Sequence, residues 1–127
     1  MSAPRVLCPA TALRRWNFDD IAPDLTVHPH VEVREVQLSP LGTHMTFVRM
    51  YGGMGAKIEG TRHPHEHESV VVLKGYVIAN IGGLEYEGGP RTVFDIRMGE
   101  VHGYTPKDRC LVELLAIYNP PAPVSFI

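Results

Sequence analysis

The sequence predicts an all-β domain, a closed barrel or jelly roll, and three observations carry that expectation. Roughly eight short runs rich in β-branched and aromatic residues follow one another, separated by turns built on glycine and proline. Helical periodicity is almost absent. A length of 127 residues, 44% of them hydrophobic, suits a single core.

The whole chain, residues 1–127, reads as one domain with an N-terminal arm over 1–25, a barrel over 26–119 and a proline-rich tail over 120–127. In the arm, "TALRRWNFDD" has the composition of one short helix with Thr11 as its N-cap. "VEVREVQL" (31–38) places apolar residues at near-alternate positions, the mark of a strand with one buried face, and "SPLG" supplies the turn after it. "THMTFVRMY" (43–51) is a second strand, stopped by Gly52 and Gly53. "SVVVLKGYVIANI" (69–81) is long and β-branched, and Gly75 predicts a bend or bulge within it. Ile81-Gly82-Gly83-Leu84 reads as a two-residue hairpin turn. Residues 91–96, 101–104 and 110–119 are the remaining strands, and the three prolines of the tail keep it out of a central strand.

Charge and cysteine usage exclude several partners. The formal charge of −2 offers no basic field for nucleic acid or anionic lipid. No apolar run approaches the ~20 residues that span a bilayer. Cys8 and Cys110 match no zinc or redox spacing, and with no signal peptide in view a reduced, cytoplasmic setting is expected.

Chemistry concentrates in "HPHEHE", where His63, His65, His67, Glu66 and Glu68 fall within six residues. Alternate residues of a strand share a face, so an extended 63–67 would project the three histidines one way and Glu68 the other, unless the chain bends. Imidazole nitrogens and a carboxylate converging from one side suit a divalent transition metal, and two His with one carboxylate suit non-haem iron. The plainer reading is a solvated polar turn before a strand.

These residues resemble the first motif of the small single-domain cupins (the RmlC-like jelly roll), G(X)5HXH(X)3–4E(X)6G. Glu68, six residues and Gly75 fit its second half, while Gly99-Glu100-Val101-His102 fits the core of the second motif, G(X)5PXG(X)2H(X)3N. Counted without gaps from Gly55, the two histidine positions fall on Thr61 and His63; counted from the H-x-H pair, they fall on His63 and His65. Arg97 stands at the motif's proline, which should loosen a turn, and Pro106 at its asparagine. The resemblance implies a cupin-type jelly-roll barrel (double-stranded β-helix) and a metal site of His63, His65, Glu68 and His102, with His67 as substitute ligand. The ion it implies is Fe, Mn, Ni or Zn, and the assembly a homodimer.

It also implies a metal-dependent enzyme acting on a small oxygen-rich molecule in the barrel, by dioxygenase, isomerase, lyase or cyclase chemistry. The alternative is a non-enzymatic ligand-binding or sensing cupin with a degenerate site, which a lost ligand at Thr61 would favour. Tyr51, Tyr76, Tyr104 and Lys57 are candidate partners around the metal, with ordinary packing as the alternative for each tyrosine. "GGMG" (52–55) lacks the lysine of a phosphate loop, Ser69 lacks a nucleophile elbow, and His28 and His30 read as surface. Cys110 is expected buried and inert; His44 lies on a plausible barrel strand and could face the cavity, with packing or solvent exposure the simpler assumption.

Overall fold

The computed structural model describes residues 5–9, 15–39, 44–62 and 66–119. Ten strands make up two sheets: β1 (Arg5–Pro9), β2 (Val31–Ser39), β3 (His44–Tyr51), β4 (Ile58–Thr61), β5 (His67–Lys74), β6 (Val77–Ile81), β7 (Leu84–Gly88), β8 (Val93–Ile96), β9 (His102–Pro106) and β10 (Leu111–Asn119). One sheet has six strands in the order β1-β2-β3-β10-β5-β8, and the other four in the order β4-β9-β6-β7. Every ladder is antiparallel except β1 on β2. The expected strands are present, and β1 and β4 are additions that short length and mixed composition hid.

The helix expected over residues 11–20 is corrected in its described part. Residues 15–20 hold one 3-10 turn, Phe18–Asp20, whose first donor is met when the Asp19 N–H bonds Asn17 Oδ1 at 2.8 Å. Phe18 stacks on Phe47 of β3, and Trp16 packs with it on the small cluster of Ile21 and Val36. Packing on the sheet thus replaces helical propensity there. Thr11 and the tail lie outside the described residues.

Gly75 carries the corner between β5 and β6. Its φ is +81°, a left-handed conformation costly to a residue with a Cβ, and a Cβ there would sit 2.2 Å from the Leu111 carbonyl oxygen. Gly82 and Gly83 form the predicted hairpin turn, both with positive φ (58° and 87°), as a two-residue turn matched to strand twist requires.

Strand alternation sorts the inner face of the larger sheet into rows. Val31, Met50 and Val112 form one row, and Val33, Val48 and Leu114 the next. Then come Glu35, Thr46, Ala116, Val70 and Phe94. The last row runs from Gln37 and His44, through the His44–Tyr118 ring contact, to Tyr118, Glu68 and Ile96. The smaller sheet repeats the gradient, with Val77 beside Pro106, then Ala79, Tyr104 and Ile58, then Ile81, His102 and Thr61. One apolar cluster joins the two sheets. One end of the interior is therefore dry and aliphatic, and the other gathers polar groups.

Replacing Gly75 by alanine should destabilise the fold by at least ~1 kcal/mol, from left-handed strain plus the clash with Leu111. A lowered denaturant midpoint at unchanged slope is the expected reading; an unchanged midpoint would show that the corner relaxes freely.

Candidate functional site

Glu68 and His102 meet at the polar end. Glu68 is the second residue of β5 and His102 the first of β9, so the pair bridges the two sheets. His102 Nε2 lies 3.1 Å from Glu68 Oε1, and both side chains are fully shielded from solvent. The other ring nitrogen, Nδ1, is 3.2 Å from the Glu100 carbonyl oxygen. A carbonyl can only accept, so Nδ1 carries the proton of that bond. With that proton on Nδ1, a neutral ring turns the Nε2 lone pair towards the carboxylate and an imidazolium turns an N–H towards it. Two acceptors at that distance call for a cation between or beside them, either a proton or a metal ion. Imidazole nitrogen plus carboxylate oxygen, with the far nitrogen tied to a backbone carbonyl, is a donor set and outer support suited to a divalent transition metal.

The turn before β9 sets this up. Gly99 takes φ +79°, and Glu100 N–H donates to the Arg97 carbonyl at 3.1 Å. The Arg97 N–H in turn donates to Glu100 Oε1 at 2.8 Å. Proline at residue 97 could not make that bond. The loosening expected from its replacement is offset by a hydrogen bond that only a non-proline residue supplies.

The other expected site residues divide clearly. His63 and His65 lie outside the described residues. His67, the substitute ligand, is set apart from Glu68: it is exposed on the outer face of β5, where its Nε2 contacts Asp95 of β8. The reason is the period of two, since Glu66 and Glu68 are both buried and the residue between them must face outward. Among the described residues no group of three or more His, Cys, Asp or Glu side chains converges on one point. Thr61 is buried and stands opposite His102 in the β4–β9 ladder. A histidine at residue 61 would therefore have flanked His102, as the gap-free motif count anticipates.

Of the four residues expected to surround a metal, only Tyr104 is inside. Tyr51 donates outside the barrel to Glu32 at 3.1 Å, Tyr76 is 60% exposed, and Lys57 pairs with Glu59 at 2.7 Å at the surface. The Tyr104 hydroxyl is buried and has no hydrogen-bond partner among the described residues. Burial first, then the nearby Glu68 and Tyr118, push its acidity well away from the usual phenol range, so the group stays neutral. Cys110 is half-buried rather than enclosed, its Sγ 3.3 Å from the Tyr76 carbonyl.

Sequence reasoning allowed for an inward His44 but missed its partner. His44 is not at the surface or in plain packing but bonds Glu35 through Nε2 at 2.9 Å, and its ring lies 4.5 Å from that of Tyr118. Alternation was the available signal: Val31, Val33 and Glu35 share a face of β2, and His44, Thr46, Val48 and Met50 share one of β3.

An unpartnered buried hydroxyl costs about 1–3 kcal/mol of desolvation. Tyr104→Phe should accordingly be neutral or stabilising in the ligand-free protein, and a clear loss in thermal melting would reveal a partner for the hydroxyl.

No family model matches the chain, and no curated protein matches it. Solved structures do. The cupin domain of Cnp3 from Schizosaccharomyces pombe aligns with a TM-score of 0.68 at 12% identity, covering 82% of this chain and 72% of that one. The polyketide cyclase RemF from Streptomyces resistomycificus gives 0.68 at 20% identity, with 84% and 78% covered. Ectoine synthase from P. lautus gives 0.70 at 16% identity, with 87% and 80% covered. Likeness at this level of identity speaks to architecture, and together with the two facing sheets it identifies the fold: the chain has the fold of a small cupin jelly roll.

Proposed function

We propose that the chain is a metal-dependent cupin enzyme acting on a small oxygen-rich organic molecule inside the barrel. One observation carries the reading: His102 Nε2, on a ring whose Nδ1 donates to the Glu100 carbonyl, faces the buried Glu68 carboxylate at 3.1 Å. Glu68 and His102 would hold the ion, joined by His63 and His65 from the segment that precedes β5. When bound, Fe, Mn, Ni or Zn supplies a Lewis acid that polarises a carbonyl or enolate oxygen. The chain's own residues do the rest. The rows of valine, leucine and methionine exclude water, Tyr104 offers a neutral hydroxyl donor, and the Glu100 carbonyl keeps the imidazole in its ligating tautomer.

The lining narrows the substrate. The buried polar and charged residues described are acidic side chains, histidines and threonines, with no lysine or arginine among them. Among the described residues a phosphate or a polycarboxylate would meet like charge without a cationic clamp, which favours a neutral carbonyl, enol or polyol compound. The similar folds named as a polyketide cyclase and an ectoine synthase agree with such chemistry, without selecting it. A homodimer is proposed as the working unit, supported by the exposed Leu73 and Val93 on the outer face of β5 and β8.

Thr61 favours a second reading, a non-enzymatic cupin that binds or senses a small ligand, because it stands beside His102 where the gap-free motif count places a histidine. Elemental analysis of untagged protein separates the two. Near-stoichiometric transition metal, lost in His102→Ala and in Glu68→Ala but retained in His67→Ala, is the expected result. Metal-free protein whose melting temperature does not rise on adding Fe(II), Mn(II), Ni(II) or Zn(II) would sink the enzyme reading, since an ion bound only by the folded state must stabilise it.

A further inference from the structure

The edge strands of the two sheets are not alike. β4 and β8 each bury two of their four residues, whereas none of the five residues of β7 is buried. β7 ends the smaller sheet, with β6 on one side and, among the described residues, no strand on the other. Its register pairs Leu84 with Ile81 and Tyr86 with Ala79, so both side chains lie on the face of the sheet that carries the core. Leu84 is nevertheless 63% exposed and Tyr86 47% exposed, so β7 overhangs the apolar interior. Glu85 and Glu87 project from the opposite face.

The hairpin turn fixes which backbone groups are left over. Gly82 and Gly83, at φ 58° and 87°, match a type I′ turn, whose flanking residues are hydrogen-bonded to each other. Ile81 and Leu84 are therefore a hydrogen-bonded pair, and antiparallel alternation makes Ala79 and Tyr86 the next. The N–H and C=O groups of Glu85 and Glu87 then turn to the open edge. Unpaired backbone groups beside exposed apolar side chains are a template for another strand. A second copy fits this edge badly. Two β7 strands paired antiparallel with their apolar faces matched set glutamate against glutamate, and like charges directly opposite destabilise a pair. An ammonium group is already accepted here: Lys107 Nζ lies 3.2 Å from Glu87 Oε2 at the surface, while Glu85 has no ion pair among the described residues.

We propose that the open edge of β7 is a docking site for an extended segment of a partner protein in which apolar and basic residues alternate. Added antiparallel, the segment sets its apolar residues against Leu84, Tyr86 and Gly88, and its lysines or arginines against Glu85 and Glu87. The backbones of Glu85 and Glu87 each supply a donor and an acceptor, which give affinity without regard to sequence. Their carboxylates supply the selection, since they repel a second copy of the strand and attract a basic one. The site is independent of the metal centre and stands whether or not an ion is bound there.

The probe is the peptide acetyl-Val-Lys-Val-Lys-Val-amide, added at millimolar concentration to isotope-labelled full-length protein. Amide exchange followed by NMR should slow at Glu85 and Glu87 far more than at Leu84 and Tyr86, whose N–H groups are already bonded to β6. Acetyl-Val-Glu-Val-Glu-Val-amide should bind about tenfold more weakly, from the reversal of two cross-strand charge pairs. Glu85→Gln should weaken the lysine peptide about threefold at an unchanged melting temperature, and the double change Glu85→Lys with Glu87→Lys should reverse the preference between the two peptides. Exchange at Glu85 and Glu87 that neither peptide slows, or equal binding of the two peptides, overturns the inference. Slowing at these amides that grows with protein concentration in the absence of peptide assigns the edge to a second copy and overturns it as well.

Discussion

Everything at the polar end depends on how closely the two sheets are held by the apolar end. Glu68 belongs to the larger sheet and His102 to the smaller, and no ladder connects their strands. Their 3.1 Å separation is set by the valines, Ile58, Leu114 and Met50 packed between the sheets a few rows away. Close-packed interiors transmit small changes in volume, so the core acts as a spacer for the site as well as a source of stability. A methyl group removed from Val48 or Leu114 would be felt as a change in separation between His102 Nε2 and the Glu68 carboxylate.

The parts of the fold legible in the sequence were those governed by local rules. Strand alternation gave β2, β3 and β10, paired glycines gave the β6–β7 turn, and Gly75 marked a corner that nothing but glycine fits. β1 and β4 escaped because strands of four or five residues hold their place through ladder partners, a non-local cause. The arm misled for a related reason. "TALRRWNFDD" has helical composition, but Trp16 and Phe18 gain more by packing on the sheet than a helix of that length would supply.

The site was half legible. Spacing to Gly75 and Gly99 picked out Glu68 and His102, which the fold brings together from distant parts of the chain. His67 was drawn in by its neighbours in sequence and is put outside by the strict period of two. The Glu35–His44 pair was invisible to motif counting because it belongs to no motif. Only the parity of positions along β2 and β3 carried it, and parity becomes informative once it is known which face is the inside. Arg97 shows the converse: a departure from a motif need not be a loss, since its N–H closes the turn that a proline would have closed by rigidity.

The last strand among the described residues occupies the middle of the larger sheet. β10 pairs with β3 on one side and β5 on the other, so the three strands β1, β2 and β3 cannot be joined to β5 and β8 until residues 111–119 exist. Such connectivity puts the cost of closing long loops ahead of the contacts that reward it, which slows folding and leaves unpaired edges exposed while synthesis proceeds. Tyr118, near the end of that strand, is the residue that separates the two histidine–carboxylate pairs. The interior therefore acquires its chemistry at the same moment as its closure, and a chain interrupted before β10 has neither.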